Sequence, residues 1–205
     1  MSEQALRAAV IGVGHLGRHH ARILSSADGA RLEAVVDVNE PRAREIAAGA
    51  GARALTSARD LLGQVDLVSI ATPTETHAEI ATLFLEQGIP VLVEKPLARS
   101  VAEADAIIAV AARCGATLAV GHTERFNPAV VAARPAVDNP GFIEVHRLGT
   151  FPERSLDIDV VFDLMIHDLD LVLSIVQSDI ESIEAVGVPV LTDRFDIANA
   201  RLRFA

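Results

Sequence analysis

From Leu6 to Gly121 short apolar runs alternate with stretches whose apolar positions recur every three or four residues. That is the pattern of strand, crossover helix and parallel strand repeated along a chain. Strands are predicted over residues 6–11, 32–37, 65–71, 90–94 and 117–121. They read as near-continuous Val, Ile, Leu and Ala rather than as apolar and polar in alternation, as strands covered on both faces do. Helix start signals lie between them: Ser57 with Asp60 and Ser100 with Glu103 each fit a capping box. Gly115 is placed to stop the second of these helices.

After Gly121 the rhythm changes. Residues 122–140 carry prolines and asparagines around a short apolar helix and are expected to form a hinge. Residues 142–148 then read as a strand, 159–176 as a helix, and 183–190 and 197–204 as two more strands. The fold class is therefore α/β: a doubly wound parallel sheet over 1–121, followed over 122–205 by the start of an α+β domain with an open sheet. A sheet cut after three strands leaves an exposed edge, so the chain is expected to be a fragment or a short member of its class.

The 205 residues are half apolar, enough for one ample core or for one domain with part of another. A formal charge of −10 argues against nucleic acid or an anionic membrane as partner, because both need clustered cations. A small-molecule partner is the better expectation. One cysteine, Cys114, with no basic-then-apolar leader and no membrane-length apolar run, suggests a soluble cytoplasmic protein from a reducing compartment. Tyr and Trp are absent, which excludes any mechanism that needs a tyrosine acid.

The cations carry a sharper signal, since 17 of the 18 are Arg and the one Lys is Lys95. Arg keeps its proton at any biological pH, whereas a Lys can give its proton up. Histidines aside, Lys95 is thus the one cationic side chain able to donate and take back a proton; a drift towards Arg that happened to spare one Lys is the plainer alternative.

Gly12, Gly14 and Gly17 stand in the spacing GxGxxG, with His15 and Leu16 between them, directly after a predicted strand and opening a helix. Such glycines serve a tight turn, a close approach of backbone to pyrophosphate, and close helix-to-strand packing. The helix N-terminus offers amides to the phosphates. Asp37, twenty residues past Gly17, ends the next strand where a carboxylate would accept from an adenosine ribose and repel a 2′-phosphate. NAD is therefore expected over NADP, although Arg42 and Arg44 lie close enough in sequence to grip a 2′-phosphate. Ala71, Thr72 and Pro73 open a loop at a strand's carboxyl end, where ligands of such sheets lie, and His77 follows in the first turn of the next helix.

Glu94 and Lys95 fall by the same rule at the carboxyl end of a strand, and Pro96 restricts Lys95 to extended backbone. An ammonium beside a cationic nicotinamide ring loses its proton more easily, which suits a general base for alcohol oxidation. A second cluster lies in the helix of residues 159–176, where Asp159 and Asp163, and Asp163 and His167, are each four apart on one face. The Asp163 and His167 pair could share a proton or hold a substrate hydroxyl, make a solvated surface contact, or supply two metal ligands; with one cysteine and no third obvious ligand, no metal is expected.

With GxGxxG, the segment EKPLA and the Asp163/His167 helix in this order, nearly the whole chain resembles the glucose-fructose oxidoreductase, inositol dehydrogenase and MocA family of NAD(P)-dependent dehydrogenases. The resemblance implies a Rossmann domain followed by an α+β domain that carries the substrate and the homo-oligomer contacts. It implies Lys95, Asp163 and His167 as catalytic residues and matches His20 to a histidine often found in the first helix. It places Gly12, Gly14, His15, Leu16, Gly17, Asp37, Ala71, Thr72, Pro73, His77, Glu94 and Lys95 around the cofactor. The segments GHTERFNPAV and DIDVVFDLMIHDLDLVL resemble most the branch that oxidises the 3-hydroxyl of UDP-N-acetylglucosamine, whose ketone a transaminase can convert to an amine for lipid A. That branch makes Arg125 and Arg154 candidates for the diphosphate, with surface salt bridging as their alternative, and Asn127 a candidate for the sugar or a cap for the helix after it. Two other functions remain open: dehydrogenation of a free sugar or inositol-like polyol, and an NAD-binding sensor or subunit without catalysis.

Overall fold

The computed structural model of the protein describes residues 5–149 and 158–205. They fall into two compact units that divide between Gly121 and His122.

In the first unit β1 (Leu6–Ile11), β2 (Ala30–Val36), β3 (Arg53–Leu55), β4 (Leu67–Ile70), β5 (Val91–Val93) and β6 (Leu118–Val120) form one parallel sheet in the order β3-β2-β1-β4-β5-β6. Strand order reverses between β1 and β4, and a crevice at such a switch point is where doubly wound sheets bind ligands. Successive residues of β1 point to opposite faces. Ala9 and Ile11 belong to a core with Phe84, Leu85, Ile107 and Ala111, from α3 (His77–Leu85) and α4 (Val101–Cys114). Val10 belongs to the opposite core with Ala21 and Ala47, from α1 (Gly17–Leu24) and α2 (Glu40–Ala50). Both faces are covered, so the strands show no polar alternation.

Ser100 caps α4 by accepting from the Glu103 amide at 3.2 Å, and Gly115 closes the helix at φ 62°. The return bond of the box goes from the Arg99 amide to Glu103 Oε2. Ser57 caps only a 3₁₀ turn, Ala58–Leu61. The edge strand β3 is three residues long and begins with Arg53, too short to show a period.

The second unit holds α5 (Pro128–Ala133), a π-helical turn over Val161–Met165 that runs into α6 (Ile166–Ile175), and an antiparallel pair of β7 (Ile180–Val188) and β8 (Ile197–Phe204). Asp196 organises the connection between these strands, accepting from the amides of Val190, Leu191 and Thr192. Those three amides hold its carboxyl well below the ordinary range. The strand expected over 142–148 does not form. Among the described residues that segment has no ladder neighbour, and an apolar run without one cannot satisfy its backbone as a strand; Phe142 is 81% and Leu148 92% exposed. No helix among the described residues is long and apolar enough to cross a membrane.

Candidate functional site

Two of the three glycines are required by the packing of the loop. Gly12 turns the chain out of β1 at φ 81°, and a Cβ there would lie 2.7 Å from the Ala71 carbonyl oxygen. Gly17 packs the start of α1 onto that turn. A Cβ at Gly14 would meet nothing within 4 Å, so the loop is open at that position. His15 stacks edge-on with His19 at 5.9 Å, and Leu16 is half exposed.

Asp37 follows β2 directly. Its Oδ2 accepts from the Val13 amide at 2.9 Å and its Oδ1 from the Asn39 amide at 2.9 Å, so the acid fixes the glycine loop from the neighbouring strand end. Arg42 donates through Nε to the Val13 carbonyl at 2.8 Å, and Arg44 pairs with Glu40. The Asp37 carboxylate and the Arg42 guanidinium thus both bond the loop backbone at Val13, while Arg44 is paired with Glu40 on its own helix.

The loop after β4 carries Ala71, Thr72 and Pro73. Thr76 Oγ1 donates to the Pro73 carbonyl and can accept from Thr72 Oγ1, both at 2.8 Å, which knots the loop. His77 is fully buried, with Nδ1 3.0 Å from the Pro96 carbonyl and Nε2 2.9 Å from the Thr72 carbonyl. Its expected place against the cofactor is corrected accordingly: no ring atom reaches solvent, and the imidazole ties this loop to the turn after β5.

That turn begins with Glu94 and Lys95, and the Lys95–Pro96 peptide is cis. Glu94 is 6% exposed. Burial pushes its carboxyl up, but the His20 imidazole, with the backbone N–H and charge of Lys95, outweighs that and holds it below the ordinary range. The strand ends β1, β2, β4 and β5 thus bring the glycine loop, Asp37, the Ala71–Pro73 loop and the Glu94–Lys95 turn to the carboxyl edge of one sheet.

In the second unit Asp163 lies in the π-helical turn and His167 at the second position of α6. A π turn inserts a residue into the helical ladder and is frequent at functional sites; nothing in the side-chain pattern announces it. Asp159 Oδ1 accepts from the amides of Val161 and Phe162, which caps the turn. Arg125 donates through Nε and Nη2 to the two oxygens of Asp170, each at 2.6 Å. Burial pushes the Asp170 carboxyl up, and Arg125, His122 and His167 together bring it below its ordinary value. Arg125 thus spends Nε and Nη2 on holding α6, and the rest of its half-exposed guanidinium is what it could offer a diphosphate. Asn127 Oδ1 accepts from the Ala129 amide, so Asn127 caps α5. Arg154 lies outside the described residues. A broad open hollow of about 1170 Å³ is lined by Arg147, Leu164, Asp168 and Leu202 among others, and by neither Asp163 nor His167.

Two residues escaped sequence reasoning, and a third was only half seen. Asp170 is three past His167 but finds its partner 45 residues upstream, and Ser69 looks like an ordinary strand residue. His20 showed only as a family resemblance, without a partner.

The pattern of an oxidoreductase family with an NAD-binding Rossmann fold matches residues 6–122. UDP-N-acetylglucosamine 3-dehydrogenase from Acidithiobacillus ferrooxidans is 45% identical over 196 residues, covering 95% of this chain and 62% of that protein. Its solved structure superposes with a TM-score of 0.92 over 98% of this chain and 66% of the other, at 44% identity. Inositol 2-dehydrogenase 3 from Saccharopolyspora erythraea is 31% identical over 201 residues, covering 93% of this chain and 60% of that protein. The chain thus spans about three-fifths of the length of these curated relatives.

Proposed function

Because the chain belongs to the Gfo/Idh/MocA oxidoreductase family with an NAD-binding Rossmann fold, we propose that it is an NAD-dependent dehydrogenase that oxidises the 3-hydroxyl of UDP-N-acetylglucosamine. One observation carries the proposal: the protein's single Lys stands on a turn held by a buried carboxylate, at the sheet edge that bears the open glycine loop and Asp37. NAD, when bound, supplies the acceptor for the hydride that leaves the sugar carbon.

The chain's own residues do the rest. Gly14 leaves room for phosphate oxygens near backbone amides. Asp37 accepts from the ribose hydroxyls and repels a 2′-phosphate, which selects NAD; Arg42 spends its Nε on the Val13 carbonyl and Arg44 pairs with Glu40. Lys95 takes the hydroxyl proton, a task no Arg in the chain can perform. Asp163 and His167, an acid and an imidazole in the second unit, are of the types that hold a hydroxyl and move its proton. The sugar nucleotide is favoured by the 45% identity to the Acidithiobacillus enzyme, and its ketone suits a transaminase that installs an amine.

The test follows nicotinamide absorbance when purified protein is mixed with NAD and UDP-N-acetylglucosamine, with a keto-acid-driven transaminase removing the product. NADH is expected to accumulate, and Lys95→Ala and His167→Ala each to abolish it while NAD affinity holds. Loss of NAD affinity in either variant would assign that residue to the cofactor pocket and overturn its proton-handling role. The 31% identity to inositol 2-dehydrogenase 3 supports a second reading, a free polyol as substrate, which predicts turnover of myo-inositol without any nucleotide.

A further inference from the structure

The ring of His20 is bonded at both nitrogens: Nδ1 lies 2.7 Å from Ser69 Oγ on β4, and Nε2 lies 3.0 Å from Glu94 Oε1 at the end of β5. The carboxylate is ionised and can only accept, so Nε2 carries a proton and donates to it; the hydroxyl of Ser69 can serve either state of Nδ1. The other oxygen of Glu94, Oε2, accepts from the Lys95 amide at 3.2 Å. Gly121, at the end of β6, closes the remaining side, where a Cβ would lie 3.1 Å from the carboxyl carbon. One buried carboxylate therefore clamps the backbone of the only Lys in the chain to a helix that begins in the glycine loop. Serine, imidazole and acid in a row invite comparison with a hydrolytic triad, but Ser69 is 2% exposed within a sheet strand and no acyl group could reach it.

We propose that His20 is a positioning residue for Lys95, acting through Glu94. The proposal rests on the reading of Lys95 as the group that takes the substrate proton. Without the imidazole, Glu94 Oε1 loses its side-chain donor in a buried place. A buried carboxylate in that situation turns towards another donor or takes up a proton. Either change weakens its hold on the Lys95 amide and lets the Lys95 backbone shift, and a displacement of about 1 Å in a reacting group costs on the order of 100-fold in rate. Cofactor affinity is expected to survive that shift, because Gly12, Gly17 and Asp37 hold their places through contacts that do not involve Glu94.

The chain offers an unusual probe of this clamp. Protein labelled only in lysine gives a single side-chain resonance, that of Lys95, readable without substrate. His20→Ala is expected to lower kcat about 100-fold and to leave the NAD dissociation constant and the KM for UDP-N-acetylglucosamine within about threefold of wild type. His20→Gln, whose side-chain amide retains a donor for Glu94, is expected to recover most of the loss. The Lys95 resonance should move in the Ala variant and return towards its wild-type position in the Gln variant. Unchanged kcat, a Lys95 resonance that stays in place, or equal losses in both variants together with lost NAD binding would each overturn the proposal. If His20→Ala does not fold, Ser69→Ala removes only the ring's second anchor and must move kcat and the resonance in the same direction by less; no movement there overturns it too. If wild-type protein oxidises no sugar, the reading of the function fails, and the resonance alone decides the role of His20.

Discussion

Gly17 sits so close beneath Gly12 that a Cβ at position 17 would lie 1.8 Å from the Gly12 carbonyl oxygen. Two glycines of one motif therefore answer to the fold, while Gly14 has open surroundings and is proposed to serve the ligand. Gly17→Ala should drive β1 and α1 apart and lower the melting temperature sharply, with loss of NAD binding as a by-product. Gly14→Ala should leave the melting temperature within a few degrees of wild type, since replacing Gly at a compatible backbone changes stability by only about 0.4–1 kcal/mol, yet weaken NAD binding at least tenfold. Thermal unfolding and calorimetric titration with NAD separate the two; equal behaviour of the variants would remove the distinction.

Asp37 bonds the Val13 amide with one oxygen and the Asn39 amide with the other. Asp37→Asn keeps the shape and loses the charge. A hydrogen bond to a charged group contributes about 1.5–3 kcal/mol, so NAD affinity should fall by roughly one to two orders of magnitude while NADP affinity, freed from charge repulsion, falls less or rises. The ratio of the two dissociation constants is the measurement. A ratio equal to that of wild type would show that cofactor choice resides elsewhere.

How far these features could be read from the chain alone depends on the range over which each is determined. The parallel sheet was legible because strands such as Leu6–Ile11, covered on both faces, announce themselves as apolar runs, and because Ser100 and Gly115 mark helix ends locally. Residues 142–148 also read as a strand, but a strand needs a ladder neighbour, and none is present among the described residues. The partner of Arg125 was hidden for a related reason: Asp170 is 45 residues away, and only the tertiary fold joins them. His20 was visible as a residue and invisible as a clamp, since its meaning lies in Ser69 and Glu94 on two other elements.

The Arg125 and Asp170 pair makes a prediction that distinguishes a structural from a substrate role. Asp170 is 9% exposed and Arg125 about half exposed, so the pair is only partly shielded from water. Arg125→Ala leaves a buried carboxylate without its bidentate donor, at a cost of about 1–3 kcal/mol, and should lower the unfolding midpoint of the second unit. The KM for the sugar nucleotide should change less than threefold if the diphosphate is held by other groups. A rise in KM of tenfold or more with an unchanged midpoint would return Arg125 to the substrate.

Asp66 and Arg7 give a dependence on pH whose sign can be worked out. Asp66 Oδ2 accepts from the Arg7 amide at 2.7 Å and Oδ1 from Arg7 Nη2 at 2.7 Å, tying β1 to the entry of β4. The Arg7 side chain and backbone together lower the Asp66 carboxyl from an ordinary 3.8 to about 2. Because the folded state binds the proton less readily than the unfolded chain does, the stabilisation is complete above the unfolded value and fades as pH falls from about 3.8 towards about 2. Asp66→Asn has no proton to gain in that window. Urea unfolding should therefore show wild type more stable than Asp66→Asn near neutral pH, with the gap narrowing once the pH passes below about 3.8. A gap of constant size down to the acid limit would mean that the carboxylate's charge contributes nothing to the strap, and that the two hydrogen bonds act through shape alone.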